Sequence, residues 1–65
     1  MRKPERLYDF YGELTRIHIT HFPDWRFGQL CSNFFGWLAS KKKIDLFFPE
    51  EAEMIEYIKE FAGEK

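Results

Sequence analysis

The sequence predicts an all-α fold, a compact three-helix domain that takes in the whole chain, residues 1–65. Apolar side chains recur at helical spacing in three segments, and a proline stands near the start of each one. No segment alternates apolar and polar residues over the length of a strand. A chain of 65 residues allows a single small domain. We expect helices at about residues 4–21, 23–40 and 49–62.

The first helix begins with Pro4, whose missing N–H is not needed in a first helical turn. Its apolar side chains lie three or four residues apart and share one face: Leu7, Phe10, Tyr11, Leu14, Ile17, His18 and His21. Tyr8, Ile19 and Phe22 extend this face beyond the width that one partner helix would cover. The helix ends at Phe22, because a residue before proline is pushed out of the α region.

The second helix is predicted to begin at Pro23 and Asp24, whose carboxylate suits the free N–H groups of a first turn. Its core-facing side chains are mostly aromatic: Phe27, Leu30, Cys31, Phe34, Phe35, Trp37 and Leu38. Trp25 is expected on its polar side. A stripe of small residues, spaced four apart, would let another helix backbone come close: Gly28, Ser32 and Gly36.

Residues 41–48 break the helical pattern and are expected to form an ordered connection with apolar anchors. The third helix is predicted to begin at Pro49, and its first turns carry three glutamates, which the helix dipole favours there. Its inward-facing side chains are expected to be Met54, Ile55, Tyr57, Ile58 and Phe61. Gly63 is suited to cap its C-terminal end.

The formal net charge of −1 hides an uneven distribution. Residues 1–43 carry eight Lys and Arg against four Asp and Glu, whereas residues 44–65 carry two against seven. This pattern indicates internal charge pairing or head-to-tail association. The sequence has neither a signal-peptide pattern nor an uncharged run of bilayer length, and its single thiol, Cys31, fits a reducing compartment. We therefore expect a cytoplasmic protein that does not bind membranes.

Two side-chain groups invite a chemical interpretation. His18 and His21 lie three residues apart and could share a metal with Cys31 or Asp24, but zinc sites combine more ligands at recognisable spacing. Both histidines lie on the apolar face of the first helix, so packing roles are expected. Cys31 is in line with core phenylalanines and is interpreted as a small core residue, not a nucleophile. We predict no cofactor, no metal and no enzymatic activity.

A possible polar contact surface lies on and after the second helix. Three lysines follow this helix directly: Lys41, Lys42 and Lys43. Cations there offset the negative end of the helix dipole, and the alternative is contact with phosphates. The polar side of the helix carries residue types that contact base edges: Arg26, Gln29 and Asn33. The pI near 6.1 argues against nucleic-acid binding, so our preferred role for Arg26 is an ion pair with Asp45 or with the third helix.

One block of the sequence is similar to a group of short bacterial and phage-related proteins. Residues 23–30 have the sequence Pro-Asp-Trp-Arg-Phe-Gly-Gln-Leu and are followed by Asn33 and by Asp-Leu-Phe-Phe at residues 45–48. That group carries Pro-Asp-x-Arg-Phe-Gly-Gln-Leu, then a loop with Asp and aromatic residues, then an acidic helix. The resemblance covers most of residues 22–56. It implies a compact small domain and adds no function.

The aromatic content leads to the functional prediction. Eight Phe, three Tyr and two Trp make up 20% of the chain, more than one small core is expected to hide. We expect a non-enzymatic protein–protein interaction module that forms a homodimer. The candidate interface residues are Tyr8, Ile19, Phe22, Trp25, Gly28, Ser32 and Gly36. The alternative is a small nucleic-acid-binding or regulatory domain that uses Arg26, Gln29, Asn33, Lys41, Lys42 and Lys43.

Overall fold

The computed structural model describes residues 2–64, and in that range the chain is helical without any strand. Helix α1 is Arg6–His21, α2 is Phe27–Trp37 and α3 is Glu51–Ala62. A π-helical turn, Leu38–Lys42, continues directly from α2. The prediction of an all-α, three-helix fold is confirmed.

Two of the three helix starts agree with the predicted positions to within two residues. Pro4 lies in a turn just before α1, and its carbonyl accepts the Leu7 N–H at 3.0 Å. Helix α3 begins two residues after Pro49, and the Glu53 carboxylate accepts the N–H of Glu50 at 3.0 Å. The glutamates of this first turn therefore accept a backbone hydrogen bond and interact favourably with the positive end of the helix dipole.

The predicted start of α2 is wrong. Pro23 and Asp24 lie in a turn, and α2 begins at Phe27, four residues later than expected. The backbone of Arg26 is extended, with φ −69° and ψ 159°, and its N–H donates to the side-chain oxygen of Gln29 at 2.8 Å. The side-chain oxygen of Gln29 thus accepts the hydrogen bond of the residue that precedes the helix, whereas Asp24, which we expected in the first turn of the helix, lies outside it.

Helices α2 and α3 are terminated in different ways at their C-terminal ends. The π-helical turn ends at Lys43, which adopts a left-handed conformation with φ 55°, and the N–H of Ile44 then donates to Leu38 O at 3.2 Å. Helix α3 ends at Gly63, with φ 87°, whose N–H donates to Glu60 O at 3.1 Å. The predicted glycine cap is confirmed, because this left-handed conformation suits a residue without Cβ.

Every helical element contributes at least one buried side chain to a small core. Its buried side chains are Ile17 of α1, Leu30 and Phe34 of α2, Leu38 of the π-helical turn and Ile58 of α3. Helix α3 contacts both α1 and α2 and so completes the core. Of the connection after Lys43, only Ile44 packs against these side chains as an apolar anchor in residues 2–64; Leu46, Phe47 and Phe48 are exposed.

Helices α1 and α3 run parallel to each other, as their ion pairs indicate. The Arg6 guanidinium near the start of α1 binds Glu51 at the start of α3, at 2.7 Å. Arg16, towards the end of α1, binds Glu64 just after α3, at 2.8 Å. The basic first part of the chain is therefore paired internally with the acidic C-terminal part, although each exposed pair contributes little stability by itself.

A cluster of aromatic rings surrounds Phe61 of α3, and we call it the aromatic cluster. Its other members are Phe22, Trp25, Phe34 and Trp37. Trp25 and Phe22 stack at a centroid distance of 4.5 Å and an interplanar angle of 10°. The expectation that Trp25 lies on the polar side of a helix is wrong, because Trp25 belongs to the turn before α2 and is half-buried against the core.

Candidate functional site

The exposed apolar side chains are concentrated on one side of the molecule. Among residues 2–64, eight large apolar side chains are exposed: Tyr8, Tyr11, Ile19, Phe27, Phe35, Leu46, Phe47 and Phe48. Five of them line a single groove, and a sixth, Phe48, contacts Phe47 edge to face at a centroid distance of 5.5 Å. We call these six the aromatic face: Tyr11, Phe27, Phe35, Leu46, Phe47 and Phe48.

The groove of the aromatic face is an open depression of about 330 Å³. Its inner wall includes the buried core residues Leu30, Phe34 and Ile58, together with the partly buried Leu14 and Met54. These core side chains form the floor of the groove and are themselves buried. An apolar depression of this kind is typical of a binding surface.

Helix α2 supplies the groove with a stripe of residues spaced four apart: Phe27, Cys31 and Phe35. The stripe is distinct from the buried pair Leu30 and Phe34 on the same helix. Phe27 is 65% exposed, so the expectation that it packs in the core is wrong. One helix thus presents one apolar stripe to the core and another to solvent.

The connection before α3 holds Phe47 at the rim of the groove. The carboxylate of Asp45 accepts the N–H of Phe47 at 2.7 Å, a bond between a side chain and the backbone two residues on that fixes a tight turn. The side chain of Phe47 is nevertheless 86% exposed. An ordered loop thus presents a bare aromatic ring to solvent.

Electrostatically the groove is nearly neutral. Of the residues described as lining it, only Glu51 carries a charge. Its carboxylate is bound by Arg6 at 2.7 Å, and this hydrogen bond lowers the pKa of Glu51 below its ordinary value. A charged ligand gains nothing from such a lining, whereas an apolar one does.

Cys31 lies in the groove and is half-buried. Burial raises the pKa of its thiol, which keeps the thiol protonated at neutral pH and weak as a nucleophile. Cys31 is not part of the core cluster, so the expectation that it packs as a core residue is wrong.

The two histidines have separate partners. The Nε2 of His18 lies 2.7 Å from the carbonyl oxygen of Trp25, and that of His21 lies 2.5 Å from a carboxylate oxygen of Glu64. The bond from His18 ties the turn before α2 to α1. No group of three or more possible metal ligands occurs in the part of the chain that the structure describes.

The structure does not gather the predicted interface residues into one surface. Tyr8 and Ile19 are exposed on α1, whereas Phe22 and Trp25 belong to the aromatic cluster. The small-residue stripe on α2 is exposed, and a methyl group at Gly28 or Gly36 would meet no atom within 4 Å apart from its own surroundings in α2. Nothing within residues 2–64 uses the stripe as a close-approach surface, so its role towards a partner stays a prediction.

The predicted polar residues are mostly exposed, but some have structural roles. Arg26, Gln29 and Asn33 lie at the surface, and Gln29 serves as the cap of α2. The ion pair expected between Arg26 and Asp45 or α3 is not formed in residues 2–64.

The three lysines after α2 differ in their surroundings. Lys42 binds Glu60 at 3.1 Å and lies 6.0 Å from the centroid of the Trp37 ring. Lys41 and Lys43 are exposed, and neither makes an ion pair with residues 2–64. Lys41 and Lys42 belong to the last helical turn, which agrees with the expected interaction with the helix dipole.

Sequence reasoning missed the aromatic face as a unit. Two signals for it were present: the apolar arc of the second helix is too wide for one partner helix, and the two phenylalanines at 47–48 fall outside any helical pattern.

No helix in residues 2–64 is both long and apolar enough to cross a membrane.

Comparisons with known proteins return no relative. No protein-family model, no curated protein and no solved structure matches the chain. The resemblance of residues 23–30 to the short bacterial and phage-related proteins stays a prediction.

Proposed function

We propose that this chain is a non-enzymatic protein–protein interaction module that self-associates. The observation that carries the proposal is the aromatic face, where five exposed large apolar side chains line one groove and a sixth contacts one of them. Contiguous apolar surface of this kind marks sites of protein association.

The total surface of the chain supports the proposal. A folded monomer of 8.0 kDa has an expected accessible surface of about 4,450 Å². The chain exposes 5079 Å², about 600 Å² more than that expectation. The chain thus leaves more of its surface exposed than an average monomer of this size.

The chemistry of the groove supports a non-enzymatic role. General acid–base catalysis needs polar groups that converge on a substrate with suitable protonation states. In the described lining, the one charged group is occupied by Arg6 and the thiol of Cys31 is held protonated. Such a lining favours binding through apolar contact.

Sedimentation velocity over a range of micromolar concentrations tests self-association. We expect the weight-average sedimentation coefficient to rise with concentration towards the value of a dimer. A chain that sediments as a strict monomer throughout would contradict the proposal.

The second candidate is a small nucleic-acid-binding or regulatory domain. The observation in its favour is that Arg26, Lys41 and Lys43 are exposed cations that make no ion pair with residues 2–64. Retention on heparin or DNA that weakens with salt would support it. Replacing Lys41, Lys42 and Lys43 by Ala should then lower the salt slope, with Lys3→Ala as the matched control. An unchanged salt slope would rule this candidate out.

A further inference from the structure

We propose that the aromatic face binds a second copy of this chain about a two-fold axis, with Phe47 of each copy seated in the groove of the other. This inference rests on the proposed self-association and specifies its surface and geometry. Three observations on this face support a second copy as the occupant.

The first observation is that a knob and a recess lie on the same surface. A two-fold interface uses one surface of each copy, so that surface must fit itself. Phe47 lies at the rim of the groove and, backed by Phe48, provides the knob. An apolar cavity of about 150 Å³ holds one benzene ring. The groove of about 330 Å³ therefore has room for the phenyl ring of a partner.

The second observation is the neutrality of the groove. A charge that lies close to a two-fold axis also lies close to its own copy, and like charges placed together weaken association. The only charged residue described in the lining, Glu51, is already neutralised by Arg6. A face without net charge avoids this repulsion and offers no attraction to a strongly basic or acidic partner.

The third observation is the exposed area. With about 200 Å² for each fully exposed residue, the exposed fractions of the six residues of the aromatic face amount to roughly 700 Å² of accessible surface. A standard interface buries about 800 Å² on each partner. If the aromatic faces of two copies meet, the area covered on each copy is close to the area that a standard interface buries.

The turn at Asp45 lowers the cost of this contact. Its bond to the N–H of Phe47 holds the loop in place before association. A preorganised loop loses less conformational entropy on binding than a mobile one. The central ring of the interface is thus positioned in the free chain.

The experiment compares Phe47→Lys with the matched control Ile19→Lys. Both changes place a lysine at an exposed apolar position, and neither removes a buried group. Ile19 lies eight residues beyond Tyr11 on α1, about 12 Å along the helix axis. We expect Phe47→Lys to weaken dimerisation at least about 100-fold, because both copies lose a central contact. Ile19→Lys should leave the dissociation constant within about threefold of the wild type.

The thiol of Cys31 gives a second measurement that does not depend on mass. In the proposed dimer the partner covers the groove, so alkylation of Cys31 should slow as the protein concentration rises. Phe47→Lys should remove that protection, and Ile19→Lys should keep it. Circular dichroism checks that each variant retains its helices.

The possible outcomes separate the two proposals. A wild-type dimer that Phe47→Lys leaves intact, with Cys31 still reactive, would overturn the aromatic face as the interface while self-association stands. A wild-type monomer at all micromolar concentrations would overturn both. A monomeric chain whose Cys31 is protected only by lipid vesicles or by an alkyl ligand would likewise contradict the second copy as the occupant.

Discussion

The aromatic cluster and the aromatic face are built from the same residue types and differ in what covers them. The cluster gathers Phe22, Trp25, Phe34 and Trp37 around Phe61 of α3, with ring centroids 4.5 to 6.4 Å apart. In the face, Phe27, Phe47 and Phe48 are largely exposed. Helix α3 packs against the aromatic cluster, whereas no element of residues 2–64 covers the aromatic face.

Helical periodicity therefore identifies which side chains form an apolar surface, but it does not identify which element covers that surface. Helix α2 has two apolar stripes, and α3 covers the one that contains Phe34. Three short helices provide too few surfaces to cover both stripes. The remaining stripe needs a partner, or it stays in contact with water at a cost in solubility.

The largest effect is expected from Phe61→Ala, which removes the centre of the aromatic cluster. The change should lower the free energy of unfolding by about 3 kcal/mol, the lower end for a buried phenylalanine because Phe61 is only partly buried. Urea denaturation followed by circular dichroism measures it. Phe48→Ala is the matched control and should change monomer stability by less than about 0.5 kcal/mol. Similar losses in both variants would remove the distinction between the two regions.

Self-association should make thermal stability depend on concentration. Because a dimer is stabilised by mass action, the Tm of the wild type should rise as the protein concentration rises. The Tm of Phe47→Lys should stay constant over the same range, because this variant should not dimerise, and the monomer should still fold because Phe47 is 86% exposed in the single chain. Differential scanning calorimetry makes the comparison, and a concentration-independent Tm for the wild type would speak against a dimer.

A smaller effect is expected at the end of α3, which brings Phe61 into the cluster. Gly63→Ala places a Cβ on a residue with φ 87° and should cost about 1 kcal/mol. Gly36→Ala lies in helical backbone with open space around it and should instead stabilise the monomer, by up to about 1 kcal/mol. Urea denaturation of the pair at low concentration checks the opposite signs. Equal effects would show that the cap of α3 does not matter for the cluster.

The smallest effect is expected from acid, through the ion pairs that hold this end of α3 to α1. Hydrogen bonds from Arg16 and His21 lower the pKa of Glu64 to about 2. The stabilisation from the ionised carboxylate is therefore complete above the ordinary pKa of Glu, about 4.3, and is lost as the pH falls towards 2.

Glu64→Gln should accordingly flatten the dependence of stability on pH in that interval. Glu5→Gln, at an exposed residue that makes no ion pair with residues 2–64, is the control and should leave the slope as in the wild type. Urea denaturation at pH values between 2 and 5 gives both slopes. The same slope in Glu64→Gln and the wild type would contradict a role for this contact.

Much of the fold follows from the sequence because local signals agree with one another. Proline and apolar periodicity locate α1 and α3 to within two residues, and Gly63 marks the end of α3. The start of α2 does not follow, because Pro23 and Asp24 lie in a turn before the helix and Gln29 accepts a hydrogen bond from the N–H of Arg26. Asp24 and Gln29 are both suited to a helix start, and local sequence alone does not decide between them.

The candidate site can be predicted from the sequence only in part. The surplus of aromatic residues predicts an exposed apolar surface, and such a surface is present. Its location is different, since Phe22 and Trp25 find Phe61 as a tertiary partner, whereas Phe27 finds none. Contacts between residues distant in sequence decide which aromatic side chains are covered. These contacts depend on how α3 packs against α1 and α2.

In the proposed dimer, Phe47 of one copy lies in the groove of the other. This contact is tested by mixing isotope-labelled and unlabelled chains and recording only nuclear Overhauser effects between copies. We expect intermolecular effects from the Phe47 ring to Leu14 and Met54 of the groove. A dimer whose intermolecular effects come instead from Tyr8 and Ile19, with none from Phe47, would contradict this contact.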